Sequence, residues 1–338
     1  MNLAPLSTQY LQKSKNLVNL YGPINSELKL LEEFIQTKLE SKVELITQTS
    51  NYLFAAGGKR VRPVILLAIA KLLDANIGTA VKLAAVIEFI HNATLLHDDV
   101  IDKSDTRRGL QSINNLHGNS VSVLVGDFLY SRAFQIMSGL NNPQISQILS
   151  NATNTIAEGE VLQLSYIGQL ELTRKQYLST IFGKTAKLFE CSSELGAVIA
   201  ENYSSEIQKN AANFGLHLGY AFQLTDDALD YCADPKNSGK VIGKDLQEGK
   251  ITMPMLIAIE NSKNPEKLKA AIKNRNSDSV DFAMEEIVNC NGIEQTMELT
   301  QKEIDKAKSY LNEIPSSSNP QVKDLLFNIC EFVGDRIF

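Results

Sequence analysis

Two short acidic runs are the part of this sequence best suited to chemistry. Asp98, Asp99 and Asp102 stand at i, i+1 and i+4, and the spacing returns at Asp226, Asp227 and Asp230. Residues three and four apart are neighbours on a helix, so each run would gather its carboxylates within one turn. Like charges held that close are unfavourable unless something neutralises them. Mg²⁺ is suited to the task, because it takes oxygen ligands and shares them with a substrate phosphate. A single run reads equally well as a solvated helix face. Both copies, however, sit in apolar sequence (after Ala93-Thr94-Leu95-Leu96 and after Tyr220-Ala221-Phe222-Gln223-Leu224), where unpaired carboxylates are costly to bury. Two such clusters facing each other would clamp metal ions and a diphosphate between them.

Basic segments accompany the acidic ones. Gly57-Gly58-Lys59-Arg60-Val61-Arg62-Pro63 combines glycines, which let backbone approach a ligand, with three cations at the start of a helix. Cations there oppose the helix dipole, which favours anion binding over a plain loop. Arg107 and Arg108 follow the first acidic run, and an arginine fork matches phosphate oxygens; a surface pair is the bland alternative. Lys240, Lys244 and Lys250 follow the second run, with a solvated loop as the alternative, above all for Lys244. Gly183-Lys184-Thr185 is not a phosphate-binding P-loop, since the spaced upstream glycine and the preceding strand are missing.

These residues need helices to position them. Apolar periodicity predicts helices over 25–53, 64–74, 79–103, 119–138, 144–166, 173–200 and 205–232, with strand-like alternation hard to find. On the 79–103 helix, His91, Leu95, Asp98 and Asp102 share one face. Residues 252–338 read as shorter helices broken at Asn264-Pro265, 274–279, Asn291-Gly292 and 315–320. Residues 1–24 read as an accessory segment and 25–338 as one catalytic domain.

Composition narrows the class. The chain has 338 residues, 43% hydrophobic and 21% charged, which suits a globular protein with a sizeable core. A net charge of −6 argues against a nucleic-acid partner. Cys191, Cys232, Cys290 and Cys330 are widely spaced and read as reduced thiols, neither a disulfide framework nor a zinc site. No signal-peptide core is evident, and no apolar run reaches the roughly 18 residues of a membrane span. The expectation is a soluble, cytoplasmic protein without a transmembrane segment.

The ordered motifs resemble those of the trans-isoprenyl (polyprenyl) diphosphate synthases, of the long-chain octaprenyl or solanesyl type. They are Gly57–Pro63, Leu96–Asp102 with Arg107-Arg108-Gly109, Gly126-Asp127-Phe128-Leu129, Gly183–Ala186, Phe222–Asp230 and Gly239–Lys250. The resemblance covers about residues 25–338. It implies an all-α, single-domain isoprenoid synthase helical bundle around a deep central cavity, usually as a homodimer. It implies about three Mg²⁺ held by Asp98, Asp99, Asp102, Asp226 and Asp227, with Asp230 acting through water. Arg107, Lys184, Lys240 and Lys250 would hold the allylic diphosphate, with Thr185 and Gln223 near the reacting carbon. Gly58, Lys59, Arg62, His91 and Arg108 would bind isopentenyl diphosphate. The aspartates, Lys184 and Gln223 are therefore the expected catalytic set. No protein general base is required, so His97 and His117 are expected to be packing or surface residues.

Product length is steric in this family. The residues four and five before the first aspartate are Thr94 and Ala93, both small, which implies an open cavity and an all-trans product near C40. Phe134 or Met137 are candidates for its floor. A shorter-chain C15–C20 synthase is the alternative. Quinone side-chain synthesis is the expected use, with transient membrane contact for product release. Three rivals compete: a terpene cyclase or head-to-head synthase of the same fold, a non-catalytic subunit, and a di-iron bundle. The complete basic site disfavours the first and the six intact aspartates the second. The third needs two Glu-x-x-His pairs, and Glu88–His91 is the single one found.

Overall fold

The structure is a computed structural model and describes residues 20–201, 203–232, 243–274, 276–316 and 319–335. A short 3₁₀ turn at Gly22–Ile24 leads into α1 (Asn25–Leu39), which buries Leu31, Ile35 and Leu39 at helical spacing. The core reaches back to Tyr21 and Ile24, both buried in the main cluster. Residues 1–19 of the expected accessory segment lie outside the described residues.

The helix expected over 25–53 is two helices. Glu40 turns extended (φ −63°, ψ 134°) and ends α1, and α2 (Glu44–Ala55) starts afresh. Local side-chain bonds explain the break: the Ser41 hydroxyl accepts from the Val43 amide at 3.1 Å, and Thr47 Oγ1 accepts from the Ser41 amide at 3.0 Å. Short hydroxyl side chains offer the backbone an alternative to the helix ladder.

Two apolar helices form the centre. α3 (Val61–Leu72) is buried on almost every side, and α4 (Ile77–Ile101) begins at Asn76, whose side chain accepts from the Thr79 amide. α4 is long and apolar enough to cross a membrane, contrary to the sequence expectation, yet 72% of its apolar window is buried inside the bundle. It is the core helix that carries the first acidic run at its C-terminal end.

A two-stranded hairpin follows, with β1 (Thr106–Arg107) antiparallel to β2 (Leu110–Gln111). Its two-residue turn is Arg108-Gly109, with φ of 54° and 78°. Two positive φ values are what a type I′ hairpin turn demands. The chain continues through α5 (Ile113–His117), α6 (Asn119–Ser138) and α7 (Pro143–Tyr166). α8 (Arg174–Ile181) runs into α9 (Lys187–Val198) through a π turn at Phe182–Ala186, where one continuous helix was expected. α10 (Ser205–Cys232) carries the second acidic run.

The remaining described helices are α11 (Lys244–Glu248), α12 (Met253–Asn261), α13 (Pro265–Asn274), α14 (Ser277–Asn289), α15 (Gly292–Asn312) and α16 (Pro320–Gly334). α4 packs on α3 and α6, α9 on α3 and α10, and α10 on α15. The main core runs from Tyr21 to Val333, and a second cluster gathers Tyr177, Ile181, Leu224, Tyr231 and the α12 side chains. The acidic ends of α4 and α10 open on the same cavity. The architecture is the all-α bundle expected. All four cysteines are free.

Candidate active site

A cavity of 770 Å³ is lined by Asp98 and Asp102 of the first acidic run and by Asp226, Asp227 and Asp230 of the second. Arg107, Arg108, Lys184, Thr185, Gln223, Lys244 and Lys250 share its wall. Residues from four separate stretches therefore meet in one place.

Each carboxylate of the first run is matched by a different cation. Lys184 Nζ lies 3.5 Å from Asp98, Arg107 Nη2 lies 2.5 Å from Asp99, and Lys250 Nζ lies 2.9 Å from Asp102. The Lys250–Asp102 pair joins residues 148 positions apart and ties the loop after the second run to the first. Asp99 is almost wholly buried, and burial holds its pKa above the usual carboxylate range although Arg107 opposes the shift. Burial works against charge on Lys184 and Lys250, but the facing carboxylates outweigh it and hold both pKa values above the ordinary lysine value. Three cations expected to hold a diphosphate thus balance the three acids.

The second run is braced differently. The Tyr177 hydroxyl donates to Asp227 Oδ2 at 2.5 Å, Gln223 Nε2 donates to Asp227 Oδ1 at 2.8 Å, and the Thr185 hydroxyl donates to Gln223 Oε1 at 2.6 Å. Burial pushes the Asp227 carboxyl up to about 7, although those bonds pull it back. A carboxyl must lose its proton to ligate a metal. Metal affinity should therefore rise with pH, by up to about tenfold per unit below pH 7, and level off above it. The measurement is the shift in melting temperature caused by saturating Mg²⁺, read from pH 6 to pH 8. A shift that does not grow with pH contradicts this reading of Asp227.

Three residues here carried no role in the sequence reading. Glu160 accepts from Lys184 Nζ at 2.5 Å, and burial with the nearby Asp98 charge raises its pKa. Its place depends on Gly159 and Gly183: a Cβ on Gly159 would come within 2.6 Å of the Lys184 amide nitrogen. α7 can then lie directly on the π turn, a helix irregularity often found at functional sites. Asp245 Nα donates to Asp230 Oδ2 at 3.2 Å, and burial beside Asp230 and Asp227 raises its carboxyl pKa. Tyr177 is the third. A glycine and a glutamate in the middle of α7 were the available signal for Glu160; nothing in the spacing marked Tyr177.

The basic segment splits by direction. Arg60 takes a left-handed conformation (φ 49°) and points inward, where it pairs with Glu88 and, at 2.9 Å, with Glu32. Glu88 also accepts from Asn92 at 3.0 Å, so this carboxylate is engaged in the core and the di-iron reading loses its one pair. Arg108 lines the cavity, while Arg62 lies behind it against His91 and does not border it. Arg62 Nη1 lies 3.3 Å from His91 Nε2, its guanidinium sits 4.6 Å above the Phe189 ring, and its Nε has no hydrogen-bond partner. Burial, then the neighbouring Arg62 and Arg108, holds His91 well below the ordinary histidine value, so it is neutral. A Cβ on Gly58 would meet the Arg108 guanidinium at 2.9 Å, which explains the glycine. Arg62 itself is lowered to about 10 by burial first and by Arg108. Two crowded arginines with an orphaned N–H are a site prepared for an anion.

Other expectations are placed as follows. Lys244 is half exposed and, among the described residues, pairs with Glu248 at 3.3 Å, in line with a solvated residue. Lys240 lies outside the described residues. Ala93 is fully buried, the Thr94 hydroxyl bonds back to the His91 carbonyl at 2.8 Å, and neither borders the cavity described. Phe134 is 40% exposed on α6 and stacks on Tyr130, which stacks on His97.

The donor set fits a hard divalent cation: five carboxylates of the two runs line one cavity, with Asp99 buried behind them and cations at hand for a diphosphate. Among the described residues no three acidic, histidine or cysteine side chains are already drawn together around one point. The polyprenyl synthetase family model matches residues 43–289. The chain belongs to the polyprenyl synthetase family. The octaprenyl diphosphate synthase of Escherichia coli is 42% identical over 287 residues, 84% of this chain and 88% of that one. The all-trans-nonaprenyl-diphosphate synthase of Rhodobacter capsulatus is 36% identical over 94% of this chain and 98% of its own. A solved polyprenyl synthase from Caulobacter crescentus, complexed with calcium and isoprenyl diphosphate, superposes with a TM-score of 0.88 at 39% identity, covering 96% of this chain and 98% of that one. This polyprenyl synthetase is a trans-prenyltransferase.

Proposed function

We propose that the enzyme adds isopentenyl diphosphate head-to-tail to an allylic diphosphate primer of the farnesyl or geranylgeranyl type, giving an all-trans product near C40. The observation that carries this reading is the cavity in which both acidic runs meet Arg107, Lys184 and Lys250. Asp98, Asp99, Asp102, Asp226, Asp227 and Asp230 would hold the Mg²⁺ that accompanies the allylic diphosphate. When bound, the metal neutralises the diphosphate as its C–O bond breaks.

Arg107, Lys184 and Lys250 exchange their aspartate partners for phosphate oxygens, so the positive charge is already in place where negative charge develops. Thr185 and Gln223 fix Asp227 and stand beside the reacting carbon. Gly58, Lys59, Arg62, His91 and Arg108 hold isopentenyl diphosphate with its double bond close to the allylic carbon, which makes the encounter effectively unimolecular. The proton lost after bond formation passes to the departing diphosphate, so no side chain acts as general base. Arg107 and Arg108, adjacent in sequence, serve the two substrates because the hairpin turn points them apart.

The tail grows along α4 past Thr94. Replacing Thr94 with Phe should stop elongation at C20 or shorter while leaving the first condensation within about threefold, as a cavity block without a change in charge implies. Mass spectrometry of the product ladder tests this, and an unchanged ladder places the tail elsewhere. Val123, Leu124 and Phe134 on α6, with Val161 and Leu164 on α7, are exposed apolar side chains that a second copy would cover in a homodimer. The enzyme works in the cytoplasm and supplies a quinone side chain.

A further inference from the structure

The end of the bundle opposite the catalytic cavity holds a second depression, of 220 Å³. α1 and α6 both rest near the start of α4 there, and Lys38, Lys82 and Arg132 stand around a floor of Phe34, Ile136 and Leu140. Among the described residues no aspartate or glutamate lines it. Three cations without an acid is a local excess in a chain whose net charge is −6. Arg132 reaches its position by donating to the Glu40 carbonyl at 3.0 Å and to Gln135 at 3.1 Å, and its Nε has no partner. Lys38 Nζ lies over the Phe34 ring at 5.3 Å, and Lys82 is exposed.

We propose that this depression binds the phosphate headgroups of an anionic phospholipid surface. Cations rimming an apolar floor suit a headgroup whose phosphate meets the charges while the glycerol and upper acyl chain meet the rings. Position supports this occupant. Lys82 and Asp98 share α4, so the depression lies about 24 Å along the helix from the acidic run. A tail growing from the diphosphate end down α4 points towards this end, where a membrane would receive it. The inference rests on the long-chain reading above.

The test is co-sedimentation of the full chain with phosphatidylcholine vesicles, with and without phosphatidylglycerol, compared with the Lys38→Gln/Lys82→Gln double variant. Neither lysine belongs to the catalytic site, so prenyl transfer to soluble substrates should be unchanged. Wild type should bind the anionic vesicles and lose that binding at high salt. The variant should bind them roughly thirtyfold more weakly, as expected for two surface lysines. Equal binding by variant and wild type overturns the proposal, and so does wild type that ignores anionic vesicles. Binding of glycerol phosphate without vesicle binding assigns the depression to a soluble phosphate ester and also overturns it. Product length, read on the same preparations, fails or holds independently of vesicle binding.

Discussion

Replacing Asp98 with Asn is expected to lower kcat/KM by roughly a thousandfold while the melting temperature stays within a few degrees. Removing one preorganised electrostatic contact to a developing anion costs about 3–4 kcal/mol in transition-state terms. Asp98 is on the cavity wall, and Lys184 approaches it at 3.5 Å. The substitution keeps volume and removes charge, so it spares the packing of α4 and strikes the metal and the Lys184 exchange together. The effect should fall mainly on kcat, since the contact is strongest as the C–O bond breaks. Steady-state kinetics with both substrates varied will decide it. A loss of less than tenfold would remove Asp98 from the reacting centre.

Replacing Arg60 with Ala should act on stability, by about 3–5 kcal/mol, because it leaves a buried carboxylate without its cation. Glu88 is 2% exposed, and its partners are Arg60 and Asn92. Burial works against the Arg60 charge, yet Glu88 and Glu32 hold its pKa above the ordinary value, so the guanidinium stays charged throughout the working range. A loss of that size is a large share of the about 5–15 kcal/mol that keeps a domain folded. Urea unfolding of the variant reads it directly, and adding Glu88→Gln should recover part of the loss. A change below about 1 kcal/mol would show that water reaches Glu88 and that the pair behaves as a surface ion pair.

The contrast between Arg60 and Arg62 shows where sequence reading stops. Two residues apart in one basic segment, they invite the same anion-binding role. The left-handed turn at Arg60 sends one into the core and leaves the other beside His91. Backbone handedness at one residue is not written in charge or periodicity. The aspartate runs were legible because a spacing of three and four maps directly onto one helix face. Helix α6 was legible to the residue, since Gly118 and Gly139 bracket its apolar stretch. The break between α1 and α2 was hidden, because it depends on hydroxyl bonds from Ser41 and Thr47 that no apolar pattern records. Tyr177, Glu160 and Asp245 were hidden for a further reason. Each gains its meaning from a partner on another element, and the close approach of Gly159 to Gly183 that places Glu160 is a property of two helices together.

The proposed extension of an allylic diphosphate in this cavity, by repeated head-to-tail addition to a long all-trans chain, is tested most directly by incubation with Mg²⁺, labelled isopentenyl diphosphate and farnesyl diphosphate, with the products resolved by mass spectrometry. The expected result is a ladder rising one isoprene unit at a time and ending near C40. A ladder ending at C15 to C20 would retain the site and contradict the proposed path of the tail past Thr94. No elongation, with both substrates and metal bound, would contradict the account at its root.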